Sequence, residues 1–271
     1  YEMTSSLVGS EMCIRDSRTA LIAIPIALLL IKLGGLFFSL GTLLLAAVAY
    51  KEYRDMIHAA GYDLYGKAAF LGIVLLVAAA SLVFLDSSLS HALLVPVTIL
   101  FSLLIMLDGL FHHGEGQFLE KTALSTLSLL YIGLPFAHFI FLRSLGEGLL
   151  WTVMVGTWAS DTFAYFGGRM WGKTPLAPTV SPKKTREGAL CGFLGTLAVI
   201  YLIGHTYLGY QSVRVLILAL LVGFFAPLGD LVESIMKRCC KIKDSGTFFP
   251  GHGGVLDRCD SLIFSIPIAY Y

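Results

Sequence analysis

Apolar runs at about 19–34, 36–50, 67–85, 90–107, 122–142, 148–167, 187–206, 212–230 and 256–271 divide this chain, and they all but dictate a membrane fold. A helix rises about 1.5 Å per residue, so roughly 20 apolar residues cross a ~30 Å hydrocarbon core. The first two runs and the last are shorter, which leaves room for tilt or re-entry. Hydrophobic residues make up 56% of the 271 residues and the mean hydropathy is +0.80. Soluble domains sit near roughly 45–50% apolar, so lipid must cover part of this surface. The expected fold is an all-α polytopic integral membrane protein with about nine transmembrane helices. Residues 19–33 resemble a signal peptide, but no small-residue cleavage site follows, and a first span is the better reading.

Residues 1–17, YEMTSSLVGSEMCIRDS, match nothing that follows and resemble translated adapter sequence, so they are set aside as a non-native or disordered segment. Residues 18–146 then supply N-terminal transmembrane helices. Residues 147–271 supply a catalytic transmembrane region with loops at 168–187 and 235–256. The five cysteines (Cys13, Cys191, Cys239, Cys240 and Cys259) show no CxxC pairing, which argues for reduced thiols over a disulfide framework or a zinc site.

The basic residues give the orientation. With nine spans, sixteen of the 19 Lys and Arg fall on the side of the N-terminus, and only Lys32, Arg143 and Arg214 fall on the other. The positive-inside rule makes the N-terminal side cytoplasmic. A cytoplasmic (inner) membrane location follows, and no nucleic-acid partner is expected.

The chemistry is expected in the two basic loops on that side. Gly167–Thr174 satisfies the P-loop pattern G-x-x-x-x-G-K-[ST], but a membrane helix precedes it and Pro175 and Pro178 forbid a helix directly after. What survives is a rigid loop presenting Arg169, Lys173, Lys183, Lys184 and Arg186. Such residues also anchor helices against anionic headgroups, so alone they would indicate topology as readily as function. Upstream, Asp161 and Tyr165 lie one helical turn apart near the end of a span, and an acid there is costly and usually functional. Downstream, Pro227 precedes Asp230. If the helix continues, Asp230, Glu233 or Ser234, and Lys237 share a face. Asp257 and Asp260 form an i, i+3 pair at the start of the last run, with Arg258 turned aside.

Carboxylates without a His/Cys cluster suit Mg²⁺. Nine basic residues in the same two loops, with Arg258 just beyond the second, suit a polyphosphate, whose oxygens a metal would bridge. His252 either donates to phosphate or holds the loop. No Ser-His-Asp or Cys-His arrangement is evident. A phosphate nucleophile needs no strong base, only metal and positioning.

The stretch SIMKRCCKIKDSGTFFPGHGGVLDRCD resembles the signature of the CDP-diacylglycerol synthases (phosphatidate cytidylyltransferases). Ser234, Lys237, Arg238, Lys243, Asp244, Gly246, His252, Gly253, Gly254, Asp257, Arg258 and Asp260 fall at the family spacing; Cys259 replaces the usual aliphatic residue. SDTFAY, GDLVES and LAPTVSPKKTREG, which contains Ser181, are also family-like. The resemblance spans roughly 18–271. It implies that CTP and phosphatidic acid give CDP-diacylglycerol and pyrophosphate, at a Mg²⁺ centre with K⁺ as a second ion. That centre maps onto Asp230 and Asp257, with Asp260 close by and Asp244 and Asp161 supporting. Asp230, Asp257, Asp260, Lys237 and Arg258 would be catalytic. Lys173, Ser181, Lys183, Lys184, Arg238, Lys243 and His252 would bind substrate. A homodimer among membrane lipids is also implied.

A transporter would spread polar residues along midplane segments, which are nearly uncharged here. CDP-alcohol phosphatidyltransferases need Asp-Gly-x-x-Ala-Arg, whereas Asp108-Gly109 is followed by Leu-Phe-His-His. CTP-dependent polyprenol kinases share the nucleotide, and only the full signature argues against them.

Overall fold

The computed structural model describes residues 25–111, 117–209, 212–249 and 253–271, and it is helical almost throughout. A helix over residues 25–33 (α1) leads into α2 (Gly35–Ala59), α3 (Gly66–Ser81) and α4 (Ser87–Phe111). Next, α5 (Phe118–Ser128) and α6 (Leu134–Leu145) run on through one wide π turn at Leu129–Gly133. The remaining helices are α7 (Glu147–Trp171), α8 (Arg186–Leu202), α9 (Ser212–Cys239) and α10 (Leu256–Tyr270). Among the described residues, six helical segments are long and apolar enough to cross a membrane: Gly35–Ala59, Gly66–Phe84, Ser87–Phe111, Phe118–Leu145, Arg186–Tyr207 and Ser212–Cys239. An all-α multi-pass membrane protein is therefore what the chain builds. Two of the other expected spans differ from these six: α7 carries Glu147, Asp161 and Arg169, and α10 has only 15 residues.

Two helices outrun their apolar cores. The run at 36–50 extends as helix to Ala59, and the run at 212–230 extends to Cys239. Hydropathy marks where lipid touches a helix, whereas backbone hydrogen bonds continue past that boundary. The 168–187 region is also less irregular than its prolines suggest. There α7 continues to Trp171, and a hairpin follows, β1 (Pro175–Ala177) against antiparallel β2 (Ser181–Thr185). A tight turn, Val180 N to Ala177 O at 3.2 Å, closes it around Pro178. Thr185 then caps α8 by accepting from Gly188 N at 3.1 Å, and Glu187 accepts from the amides of Lys173 and Thr174. The hairpin is thus pinned to the helix it precedes.

Small residues set the helix spacing. A Cβ on Gly188 would lie 2.7 Å from Ala164 O, and one on Gly192 would lie 2.7 Å from Ser160 O, so α7 and α8 approach backbone to backbone. Gly167, part of the apparent P-loop, is buried in the same contact and faces Cys191. On α9, a Cβ at Gly229 would sit 2.5 Å from Asp260 O of α10. Tyr53, Leu129, Ile132, Phe136 and Phe141 fill the interior, while Leu36, Phe37, Leu100, Leu103 and Leu110 are exposed, as a lipid-facing surface requires. Cys191, Cys239, Cys240 and Cys259 are free, Cys13 lies outside the described residues, and burial keeps the Cys240 thiol above its usual range and so protonated.

Candidate active site

Pro227 cannot donate to the turn before it, yet α9 continues, and Asp230, Glu233, Ser234 and Lys237 all lie on its last turns. Lys237 Nζ donates to Asp257 Oδ1 of α10 at 2.7 Å and also pairs with Glu233. The three side chains are largely withdrawn from solvent. Asp257 does more than neutralise the lysine. Its Oδ2 accepts from Gly254 N at 2.8 Å and from Ser245 N at 2.9 Å. In return, the Ser245 hydroxyl accepts from Asp257 N at 3.3 Å. One carboxylate therefore folds the glycine-rich loop onto the start of α10, by accepting from two amides of the loop itself.

Beside this knot, Asp161 of α7, Asp230 of α9 and Asp260 of α10 lie within electrostatic reach of one another. The close approach at Gly229 is what brings Asp230 beside Asp260. Lys184, at the end of β2, forms an ion pair with Asp230, and Ser234 Oγ donates to the other Asp230 oxygen at 3.4 Å. Arg258 acts on Asp161 from the start of α10. Three carboxylates from three helices make an all-oxygen donor set, and that chemistry suits Mg²⁺. Among the described residues, no three His, Cys, Asp or Glu side chains are grouped tightly enough to cage an ion as they stand. In this arrangement the Lys184 ammonium supplies the positive charge at Asp230.

Lys173, Lys183, Lys243, Asp244 and Arg258 are exposed, and Ser181 opens β2. Arg238 links two segments, donating to Val180 O of the hairpin turn and to Ile242 O, each at 3.4 Å. Tyr165 accepts from Arg169 at 3.2 Å on the exposed face of α7. His252 lies outside the described residues. One buried acid was missed from the sequence. Glu52 of α2 accepts from the amides of Val255 and Leu256 at the head of α10. Its setting, Lys51-Glu52-Tyr53-Arg54-Asp55, reads as an ordinary charged helix end, and only its burial distinguishes it.

Residues 16–271 match the sequence pattern described as the cytidylyltransferase family. Among curated proteins, the chain is 33% identical to a phosphatidate cytidylyltransferase of Staphylococcus saprophyticus, over 92% of this chain and 95% of that one. It is 32% identical to the protein of that name from Bacillus subtilis, over 93% and 94% of the two chains. For the one from Synechocystis, the identity is 34% over the same shares.

Proposed function

This chain belongs to the cytidylyltransferase family, and from that membership we propose that it transfers a cytidylyl group from CTP to phosphatidic acid. The products are CDP-diacylglycerol and pyrophosphate, and the pathway served is phospholipid biosynthesis. The observation that carries the reading is the meeting of Asp161, Asp230 and Asp260 with Lys184 and Arg258 where four signature segments come together. Cations and oxygen ligands at a helix boundary suit a reaction between two phosphates, one of them carried by a lipid.

A phosphatidate oxygen attacks the α-phosphorus of CTP, the bond from that phosphorus to the α–β bridging oxygen breaks, and pyrophosphate leaves with the electron pair. Lys183, Lys184, Arg238, Lys243 and Arg258 hold the phosphates in line, with Lys173, Ser181 and His252 as further contacts. Asp161, Asp230 and Asp260 would hold Mg²⁺, which supplies charge neutralisation and polarises the phosphoryl oxygens. Asp257 joins that set only by exchanging its bond to Lys237, and Asp244 flanks it. K⁺ is the second ion implied by the family resemblance. The rest of the reading is a homodimer in the cytoplasmic membrane, with nine crossings and a cytoplasmic N-terminus.

The test is isotopic. CTP labelled at the α-phosphorus, given with phosphatidic acid in detergent, should pass its label to a lipid, and γ-labelled CTP should pass its label to pyrophosphate. A lipid that instead acquires the γ-label identifies a kinase and overturns the reading.

A further inference from the structure

We propose that Glu52 is a positioning residue for the cytidylyl transfer, acting as a clamp from α2 that sets where the head of α10 lies; the role in turnover rests on the function proposed above. Glu52 is 6% exposed, although it sits in a run of charged residues. Its two oxygens take the first two amides at the head of α10, one each. Val255 N donates to Oε1 at 2.9 Å and Leu256 N donates to Oε2 at 3.0 Å, and Ser245 Oγ lies 3.5 Å from Oε2. Val255 itself offers α10 no side-chain cap. A carboxylate from a distant helix therefore takes the place of a local Ser, Thr, Asp or Asn, and its negative charge suits the positive end of the helix.

Glu52 also gives two signature glycines a physical reason. A Cβ on Gly246 would lie 2.5 Å from Glu52 Oε1 and 2.7 Å from its Cγ and Cδ. A Cβ on Gly254 would lie 2.5 Å from Glu52 Oε2. The loop closes around this carboxylate because both positions lack side chains. The amides that Glu52 takes adjoin the ones held by Asp257, at Gly254 and Ser245. The two acids are consecutive staples on one loop. Asp257 ties the loop to Lys237 and so to α9, and Glu52 ties it to α2. The bonds that Glu52 makes go to Ser245 of the loop and to the head of α10. It fixes the frame in which Asp257 and Asp260 stand.

The test uses Glu52→Gln in the full-length protein. A glutamine at this site has one acceptor oxygen where two amides donate, so one staple is lost with little change of volume. Amide hydrogen exchange, followed without substrate, should accelerate at Val255 and Leu256 and stay unchanged in α3 and α4. In the folded fraction, kcat should fall about 10–100-fold, as when a supporting group one step from a reacting centre is removed. The KM for CTP should stay within about twofold, because ground-state binding is untouched. Unchanged exchange at 255–256 with unchanged kcat overturns the clamp, and so does a uniform rise in exchange across the protein. Should Glu52→Gln not fold, Gly246→Ala and the double variant Gly246→Ala/Glu52→Asp decide. The shorter acid should restore activity to the alanine variant, whereas two unrelated lesions would only add. Wild-type protein that makes no CDP-lipid defeats the cytidylyl reading instead, and the exchange result still decides the clamp.

Discussion

Lys237 Nζ and Asp257 Oδ1 stand 2.7 Å apart and bind the end of α9 to the start of α10. Glu233 holds the same lysine from the other side, and none of the three side chains is more than 14% exposed. Removing one partner leaves buried charge behind, which costs about 3–5 kcal/mol in comparable buried pairs. Lys237→Ala should therefore lower the thermal midpoint of the purified protein by several degrees and abolish turnover. A variant as stable as the wild type would show that the two carboxylates find other partners.

Asp257→Asn keeps the shape but exchanges an acceptor for a donor, against one ammonium and two amides. It should leave a folded, membrane-inserted protein whose kcat falls at least about 100-fold, the scale of losing a fixed electrostatic contact at a reacting centre. Size-exclusion behaviour measures the fold and product formation measures the rate. Retained activity would remove Asp257 from the site.

Lys184 is both a hairpin residue and the partner of Asp230. If its purpose is the triphosphate, Lys184→Ala should raise the KM for CTP by about tenfold, a loss of roughly 1.4 kcal/mol, while membrane insertion is unchanged. A normal KM would return this lysine to a topological role.

Gly229 lets α9 and α10 touch. In Gly229→Ala the new methyl meets the Asp260 carbonyl at 2.5 Å, and backbone cannot swing aside as a side chain can. The helices must separate, at a cost of about 1–3 kcal/mol for overpacking. Magnesium dependence should move with them, the Mg²⁺ concentration for half-maximal rate rising in this variant. An unaltered Mg²⁺ titration would dissociate the helix contact from the carboxylate cluster.

Orientation has its own test. Cys239 is exposed at the end of α9, and Ser88 is exposed at the start of α4. An impermeant maleimide should label Ser88→Cys in intact cells and reach Cys239 only after permeabilisation. The reverse pattern would invert the topology.

How legible this was from the sequence depended on the range of the interaction. Apolar runs located the helices because lipid contact is written residue by residue. The carboxylates were legible because Asp257 and Asp260 lie in one short signature and Asp230 in the adjoining GDLVES segment, on helices whose 3.6-residue period sets their faces. The hairpin was hidden, since Ser181-Pro182-Lys183-Lys184-Thr185 has no apolar alternation and owes its pairing to the turn at Pro178. Glu52 was hidden for a different reason. Its partners Val255 and Leu256 are 203 and 204 residues away, and only the packing of α2 beside the loop brings them together.

The central claim is the chemistry, and the most direct measurement is pyrophosphate release by the purified protein given phosphatidic acid, Mg²⁺ and each nucleoside triphosphate in turn. Release that requires both CTP and phosphatidic acid, accompanied by a CDP-lipid, is the predicted result. Release of CDP with a phosphorylated polyprenol, or silence from a folded sample with every nucleotide, would contradict it.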